Sequence, residues 1–257
     1  MKVLQGWSLE NCRAVVSGGS RGIGAAIVEQ LSALGARVVS ASLELPSARP
    51  GVIDVAADVS TVAGRDAVLA AIPQDWDGIE ILVNNVGMNY RKPTVEYTLE
   101  EFEKIQSTNA TSMFELSRLL HPRLKASGRA SIVNIGSIAG SMSVGSSAAY
   151  AMSKAAVAHL GRYLAVEWAS DGIRVNTVAP AWVATALTQT IQDSEAAMAV
   201  VSERTPLGRM ARPEEIASVA TFLCLPCASY LTGAVIPVDG GLSVHAMDIT
   251  SALRQRQ

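Results

Sequence analysis

Two residues four apart, Tyr150 and Lys154, are the pair in this chain best suited to moving a proton. They lie in an Ala-rich run, 148–169, of helical character, where a spacing of four puts both on one face, one turn apart. A phenol beside an ammonium can act as an acid or a base: free tyrosine titrates near ~10, and a neighbouring cation favours the phenolate. Ser137, thirteen residues upstream, follows the apolar run Ala130-Ser-Ile-Val-Asn-Ile-Gly136 and can reach the same point from a strand end. Tyr-x-x-x-Lys alone is common on surface helices, so its meaning depends on what the rest of the chain brings to it.

The first such partner is Ser17-Gly-Gly-Ser-Arg-Gly-Ile-Gly24. It follows a short apolar run and opens a helical one. Glycines at 18, 22 and 24 permit a tight turn, close backbone approach to a pyrophosphate, and close packing of helix on strand. The helix N-terminus offers unpaired N–H groups and the positive end of its dipole to phosphates. Asn84-Asn-Val-Gly87 ends another apolar run, with Gly87 leaving room for something flat. Asn109 sits in a helix that begins at the capping box Thr98-Leu-Glu-Glu101, and if buried it needs polar partners.

The elements that must position these residues alternate. Strands are expected over 13–17, 36–41, 51–55, 79–83, 131–135, 173–178 and 233–238, and helices over 22–34, 61–72, 98–126, 148–170, 187–203 and 213–225. The strands are nearly continuous in Val and Ile, as strands covered by helices on both faces are. The expected fold class is α/β: a Rossmann-like doubly wound sheet of about seven parallel strands, with helices on both faces. No linker or repeat divides the chain, so one domain over 1–257 is expected. Only Ser42-Leu-Glu-Leu-Pro-Ser-Ala-Arg-Pro50 joins strands two and three, too short and too rich in proline for the usual crossover helix.

Composition narrows the function. The 257 residues are 49% apolar and carry a net charge of −2 with no basic block, which argues against nucleic-acid binding. No apolar run reaches the ~18 residues of a membrane span, and the first residues lack a signal-peptide core. A cytoplasmic enzyme is the expectation. Three cysteines make no disulfide framework. Cys224-Leu-Pro-Cys227 has redox spacing but closes an apolar helical pattern and reads as structural. His121, His159 and His245 are scattered, so no metal is expected.

In order and spacing, Ser17-Gly18-x-x-x-Gly22-Ile23-Gly24, Asp58, Asn84-Asn85-Val86-Gly87, Asn109, Ser137, Tyr150-x-x-x-Lys154, Ala179-Pro180 and Asp239-Gly240-Gly241 resemble the short-chain dehydrogenases/reductases over essentially the whole chain. The stretches 84–97 and 121–128 are similar to its tropinone-reductase-like branch. Ser17 stands where Thr is usual, Val86 where Ala is, and Ala181 where Gly is common; the 42–50 connection lacks the usual helix.

The resemblance implies reversible hydride transfer between a nicotinamide and a carbonyl carbon. Tyr150 would then be the acid–base, with Ser137 hydrogen-bonding the substrate oxygen. Lys154 would lower the phenol and grip the nicotinamide ribose, and Asn109 would hold a relay water. Cofactor contacts are expected from Gly18, Ser20, Arg21, Gly22, Ile23 and Gly24 in the glycine turn, and from Ser42, Asp58 and Val59 after strands two and three. Further along they come from Asn85, Gly87, Tyr150, Lys154, Pro180, Val183 and Thr185. Ser42 rather than an acid ends strand two, and Arg21, assisted by Arg49, can pair with a 2′-phosphate. This favours NADP(H) over NAD(H), with Glu44 as a complication.

Met88, Asn89, Tyr90, 141–145, Trp182 and a lid over 182–203 are expected to wall the substrate pocket, and His245-Ala-Met247 to add to it or to an interface. With little formal charge aimed inward, the small-molecule substrate is expected to be a neutral, fairly hydrophobic cyclic or aryl ketone or alcohol. The alternatives are a 3-oxoacyl-carrier-protein reductase docking through Arg123, Lys125 and Arg129, and a non-enzymatic dinucleotide-dependent regulator or scaffold. The resemblance also implies a homotetramer, with helices 98–126 and 148–170 pairing across one interface and 230–238 forming another.

Overall fold

The Val- and Ile-rich runs form seven strands: β1 (Arg13–Ser17), β2 (Arg37–Ser42), β3 (Val52–Ala56), β4 (Ile81–Asn84), β5 (Ala130–Ile135), β6 (Ile173–Pro180) and β7 (Val235–Val238). They come from a computed structural model that describes residues 6–145 and 147–245. Every pairing is parallel, in the order β3-β2-β1-β4-β5-β6-β7. This is the expected doubly wound sheet. Its helices are α1 (Gly22–Ala33), α2 (Val62–Ala71), α3 (Leu99–Gln106), α4 (Ser112–Ser127), α5 (Ala148–Glu167), α6 (Gln189–Gln192), α7 (Glu195–Arg204) and α8 (Pro213–Cys224). Among the described residues no helix is long and apolar enough to cross a membrane.

The sheet buries side chains on both faces. One core joins Val16, Ile27, Leu31 and Val38 to Ile216 and Leu223 of α8, and the other joins Val15, Val39 and Leu82 to Leu116, Leu120 and Leu164 of α4 and α5. Strand order reverses between β1 and β4, which lie side by side with Ser17 opposite Asn84. Their C-terminal loops leave in opposite directions there and open a crevice, the place where open α/β sheets bind ligands.

Two expected helices are not continuous. The 98–126 run breaks into α3, a π-helical turn over Ser107–Thr111, and α4. Side-chain oxygens compete with the backbone ladder at this point: Ser107 Oγ donates to the Lys104 carbonyl (3.0 Å) and Ser112 Oγ to that of Thr108 (2.6 Å). The 187–203 run resolves into a 3₁₀ turn over Ala186–Thr188, then α6 and α7, with Ser194 capping the latter. The β2–β3 connection contains no helix, as expected.

Candidate active site

Tyr150 owes its place to the start of α5. Ser147 is the N-cap, accepting from the Tyr150 amide (3.2 Å) and donating to Asn89 Oδ1 (2.8 Å), which ties the loop after β4 to the first turn of the helix. One turn on, Lys154 is buried, and its Nζ donates to the Ile135 carbonyl (2.8 Å) at the end of β5. That ammonium lies 5.7 Å from the centre of the Tyr150 ring. Ser137 follows directly from β5. Its Oγ caps a short 3₁₀ turn by accepting from the Ala139 amide (3.1 Å) and faces the Pro180 carbonyl (3.4 Å).

Burial pushes the Tyr150 phenol up, opposed by hydrogen bonding to Ser137 and by the charge of Arg91. Burial pulls Lys154 down to about 8. Burial therefore keeps the proton on Tyr150, the form able to donate it, and brings Lys154 closer to neutral pH than a free lysine. Asn109 is fully buried. Its Oδ1 accepts from the Met88 amide (2.8 Å), and its Nδ2 donates to the Met88 carbonyl (2.9 Å) and to Ser153 Oγ (3.0 Å). The π turn aims this side chain at Met88. Gly87 lies between Asn109 and Lys154, where an added Cβ would come 3.3 Å from the ammonium.

The second half of the site is the glycine turn. Asn85 Nδ2 donates to the Gly18 carbonyl (3.0 Å), the Asn85 amide donates to Ser17 Oγ (3.1 Å), and the Ser20 amide donates to Ser42 Oγ (3.0 Å). A cavity of ≈ 900 Å³ runs along the crevice, large enough for a dinucleotide and a small substrate. Gly18, Ser20, Arg21, Gly22, Ile23, Ser42, Asp58, Val59, Asn85 and Gly87 line it, as do Ser137, Tyr150, Lys154, Pro180, Val183 and Thr185. Burial resists ionisation of Asp58, but Ser60 and Lys104 outweigh it and hold the carboxyl below its usual range.

Several expected positions are corrected. Gly24 lies beneath the cavity rather than in its wall, where it lets α1 close on the Gly18 carbonyl. Arg49 cannot assist at a 2′-phosphate in this conformation, because its guanidinium is engaged by Asp54, the Gly19 carbonyl (2.9 Å) and Ser40 Oγ (2.9 Å). Met88, Asn89 and Trp182 wall the substrate end, but Tyr90 does not; its carbonyl accepts from the Tyr97 hydroxyl and its ring is part-exposed outside the cavity. Of 141–145 only Val144 contributes, and the lid narrows to 182–188, since α6 and α7 stand clear of the wall. His245 is not a lining residue, and residues 246 and 247 lie outside the described residues.

Arg91 lines the substrate end, which overturns the expectation of little inward charge. Sequence reasoning passed over it as one residue of a polar loop; its place beside the Asn84-Asn-Val-Gly87 turn was the available signal. Lys104 was missed as well, being a helical lysine that reaches back to Asp58 (3.7 Å).

A family model described as enoyl-(acyl carrier protein) reductase matches residues 18–243. Two tropinone reductase homologs of Arabidopsis thaliana are 45% and 44% identical over 250 residues, spanning 93% of this chain and 95% and 96% of theirs. The RhlG/NADP active-site complex of Pseudomonas aeruginosa is similar at 35% identity and TM-score 0.84, with 92% of this chain and 98% of that one covered. A gluconate 5-dehydrogenase from Burkholderia cenocepacia, solved with NADP and tartrate, superposes with TM-score 0.87 at 26% identity, covering 94% of this chain and 99% of that one.

Proposed function

The chain belongs to the short-chain dehydrogenase/reductase family, and from that premise we propose that it is an NADP(H)-preferring carbonyl reductase acting on a cyclic or aryl ketone and its secondary alcohol. One observation carries the reading: Ser137, Tyr150 and Lys154 face the same cavity as the glycine turn. When bound, the nicotinamide supplies or accepts the hydride. The α1 N-terminus with Gly18, Arg21, Gly22 and Ile23 would hold the pyrophosphate, and Asp58 and Val59 the adenine side. Asn85, Gly87, Pro180, Val183, Thr185 and Lys154 would hold the nicotinamide half.

In reduction, Tyr150 gives its phenolic proton to the substrate oxygen; in oxidation it takes the proton back. Ser137 donates a hydrogen bond to that oxygen where negative charge develops. Lys154 stabilises the tyrosinate, and Asn109 and Lys154 together orient the water that returns the proton. The apolar walls from Met88, Val144, Ala181, Trp182 and Leu187 favour a hydrophobic ring.

Three features support NADP(H). No carboxylate ends β2, where Ser42 instead receives the Ser20 amide. Arg21 is at the rim, with no side-chain ion pair among the described residues. The similar RhlG and gluconate 5-dehydrogenase were solved with NADP. A carrier-protein reductase is less well supported, because Arg123 is turned to the Trp76 carbonyl (2.9 Å) and Lys125 is paired with Asp171 (2.7 Å).

The test is a panel of cyclic and aryl ketones with NADPH and NADH, followed by loss of absorbance, with Tyr150→Phe alongside. NADPH should give the higher kcat/KM, and Tyr150→Phe should lose turnover while still binding the dinucleotide. Activity of wild-type size in that variant sinks the catalytic assignment, and a strong NADH preference overturns the cofactor reading.

A further inference from the structure

Among the described residues, Arg91 is the one charged side chain that lines the substrate end of the cavity besides Lys154. Its Nη1 donates to the Leu187 carbonyl (2.8 Å) in the lid, and among the described residues its guanidinium makes no other hydrogen bond and no ion pair. The contrast with the next residue is direct, since Lys92 is bound to Glu101 (2.6 Å) and lies over the Tyr97 ring. The acids that line the cavity, Glu44 and Asp58, are at the ends of β2 and β3, and Asp58 is already engaged by Ser60 and Lys104. Arg91 is exposed to solvent at this end of the cavity, and among the described residues no carboxylate forms an ion pair with it, so its guanidinium is open to an incoming anion.

A guanidinium is donor-only, and its free edge is a planar fork. The complementary ligand is an acceptor-only planar group, which a carboxylate supplies in bidentate form and a neutral ketone ring does not. We propose that Arg91 is a substrate-binding residue, and that the ketone or alcohol presented to Tyr150 carries a carboxylate held by the free edge of this guanidinium, with its ring against Trp182 and Val144. The inference rests on the oxidoreductase reading and narrows its substrate to oxo acids and hydroxy acids with an apolar body. Because Nη1 holds the lid at Leu187, the same residue couples recognition of the acid to the position of the lid.

The experiment compares 4-oxocyclohexanecarboxylate with its methyl ester as substrates of the wild type, Arg91→Gln and Arg91→Lys. In parallel, calorimetry follows binding of cyclohexanecarboxylate, which has no carbonyl to reduce, to each protein saturated with NADP⁺. The wild type should prefer the acid to the ester. Arg91→Gln should cut the acid-to-ester ratio of kcat/KM by about 10- to 100-fold, the range of one lost charge-assisted interaction, and Arg91→Lys should retain part of it.

Cyclohexanecarboxylate should bind the wild type and not Arg91→Gln. An unchanged ratio, or equal binding by the two proteins, overturns the inference and leaves Arg91 as a lid strap. Arg91-dependent binding without reduction of either ketone upholds the carboxylate site and overturns the oxidoreductase reading instead.

Discussion

At the scale of single residues, the site is held together against its own electrostatics. Lys154 is charged and almost without solvent, and its nearest polar partner is the neutral Ile135 carbonyl rather than an acid. Holding a lysine at about 8 instead of 10.5 costs folding about 3 kcal/mol wherever the group is charged in both states. The unfolded chain takes up this proton below 10.5, whereas the folded chain waits until about 8. Stability from this source therefore falls as pH drops from 10.5 to 8, and below that the penalty is complete. Lys154→Met removes the charge and also the bond to Ile135, itself worth about 1 kcal/mol. The cofactor-free variant should therefore be more stable than the wild type at pH 7 by about 1–2 kcal/mol, although without turnover. The gain should shrink through pH 9, vanish near pH 10 and give way to a loss of less than about 1 kcal/mol at 10.5, where the missing bond to Ile135 outweighs the remaining penalty. Urea unfolding at these pH values checks it, and a variant less stable at pH 7 would show that Lys154 is not the strained group described.

At the scale of elements, what was legible in the sequence was what local rules dictate. The strands announced themselves by runs of Val and Ile buried on both faces, and the glycine turn by three glycines between a strand and a helix. Tyr150 and Lys154 were legible because helical spacing alone puts them together. The π turn at 107–111 was not: Ser107 and Ser112 begin the break locally, but what the turn accomplishes, the meeting of Asn109 with Met88, is a contact between distant segments. Arg49 was misplaced and Arg91 passed over for the same reason: which partner a guanidinium takes depends on which loops arrive beside it, and no spacing rule encodes that. Gly24 shows how tightly one element can be written. A Cβ there would overlap the Gly18 carbonyl oxygen and press on the Asn85 amide, so α1 and β1 would have to separate and the Asn85–Gly18 bond to open. Gly24→Ala should lower stability by about 1–3 kcal/mol. It should also weaken NADPH binding about tenfold or more, as the N–H groups at the helix start lose their common aim. Thermal melts and NADPH titration measure both, and unaltered NADPH affinity would detach Gly24 from the phosphate site.

At the scale of the whole molecule, the surface left bare is as informative as the core. On the outer side of α5, Met152, Tyr163 and Val166 are 57%, 64% and 81% exposed, and Phe114 of neighbouring α4 is 46% exposed. Residues 163 and 166 lie about three and four helical turns beyond 152, on one face. The far edge of the sheet offers a second apolar patch: β7 is an edge strand, and Tyr230 before it is fully exposed. Two different self-complementary patches on one chain generate a closed tetramer with two kinds of two-fold interface. On this geometry we propose a homotetramer paired through α4 and α5 on one axis and through the 230–238 segment on the other, as the family resemblance implied. Placing a carboxylate at the centre of the first patch while leaving the second intact should stop assembly halfway, since an unpaired charge buried at an interface centre is strongly unfavourable. Val166→Glu combined with Met152→Glu should therefore run as a dimer by light scattering where the wild type runs as a tetramer. The dimer should keep measurable ketone reduction, because every residue named in the cavity comes from one chain. A double variant that remains tetrameric would move the interface off α5, and a monomeric wild type would remove the assembly altogether.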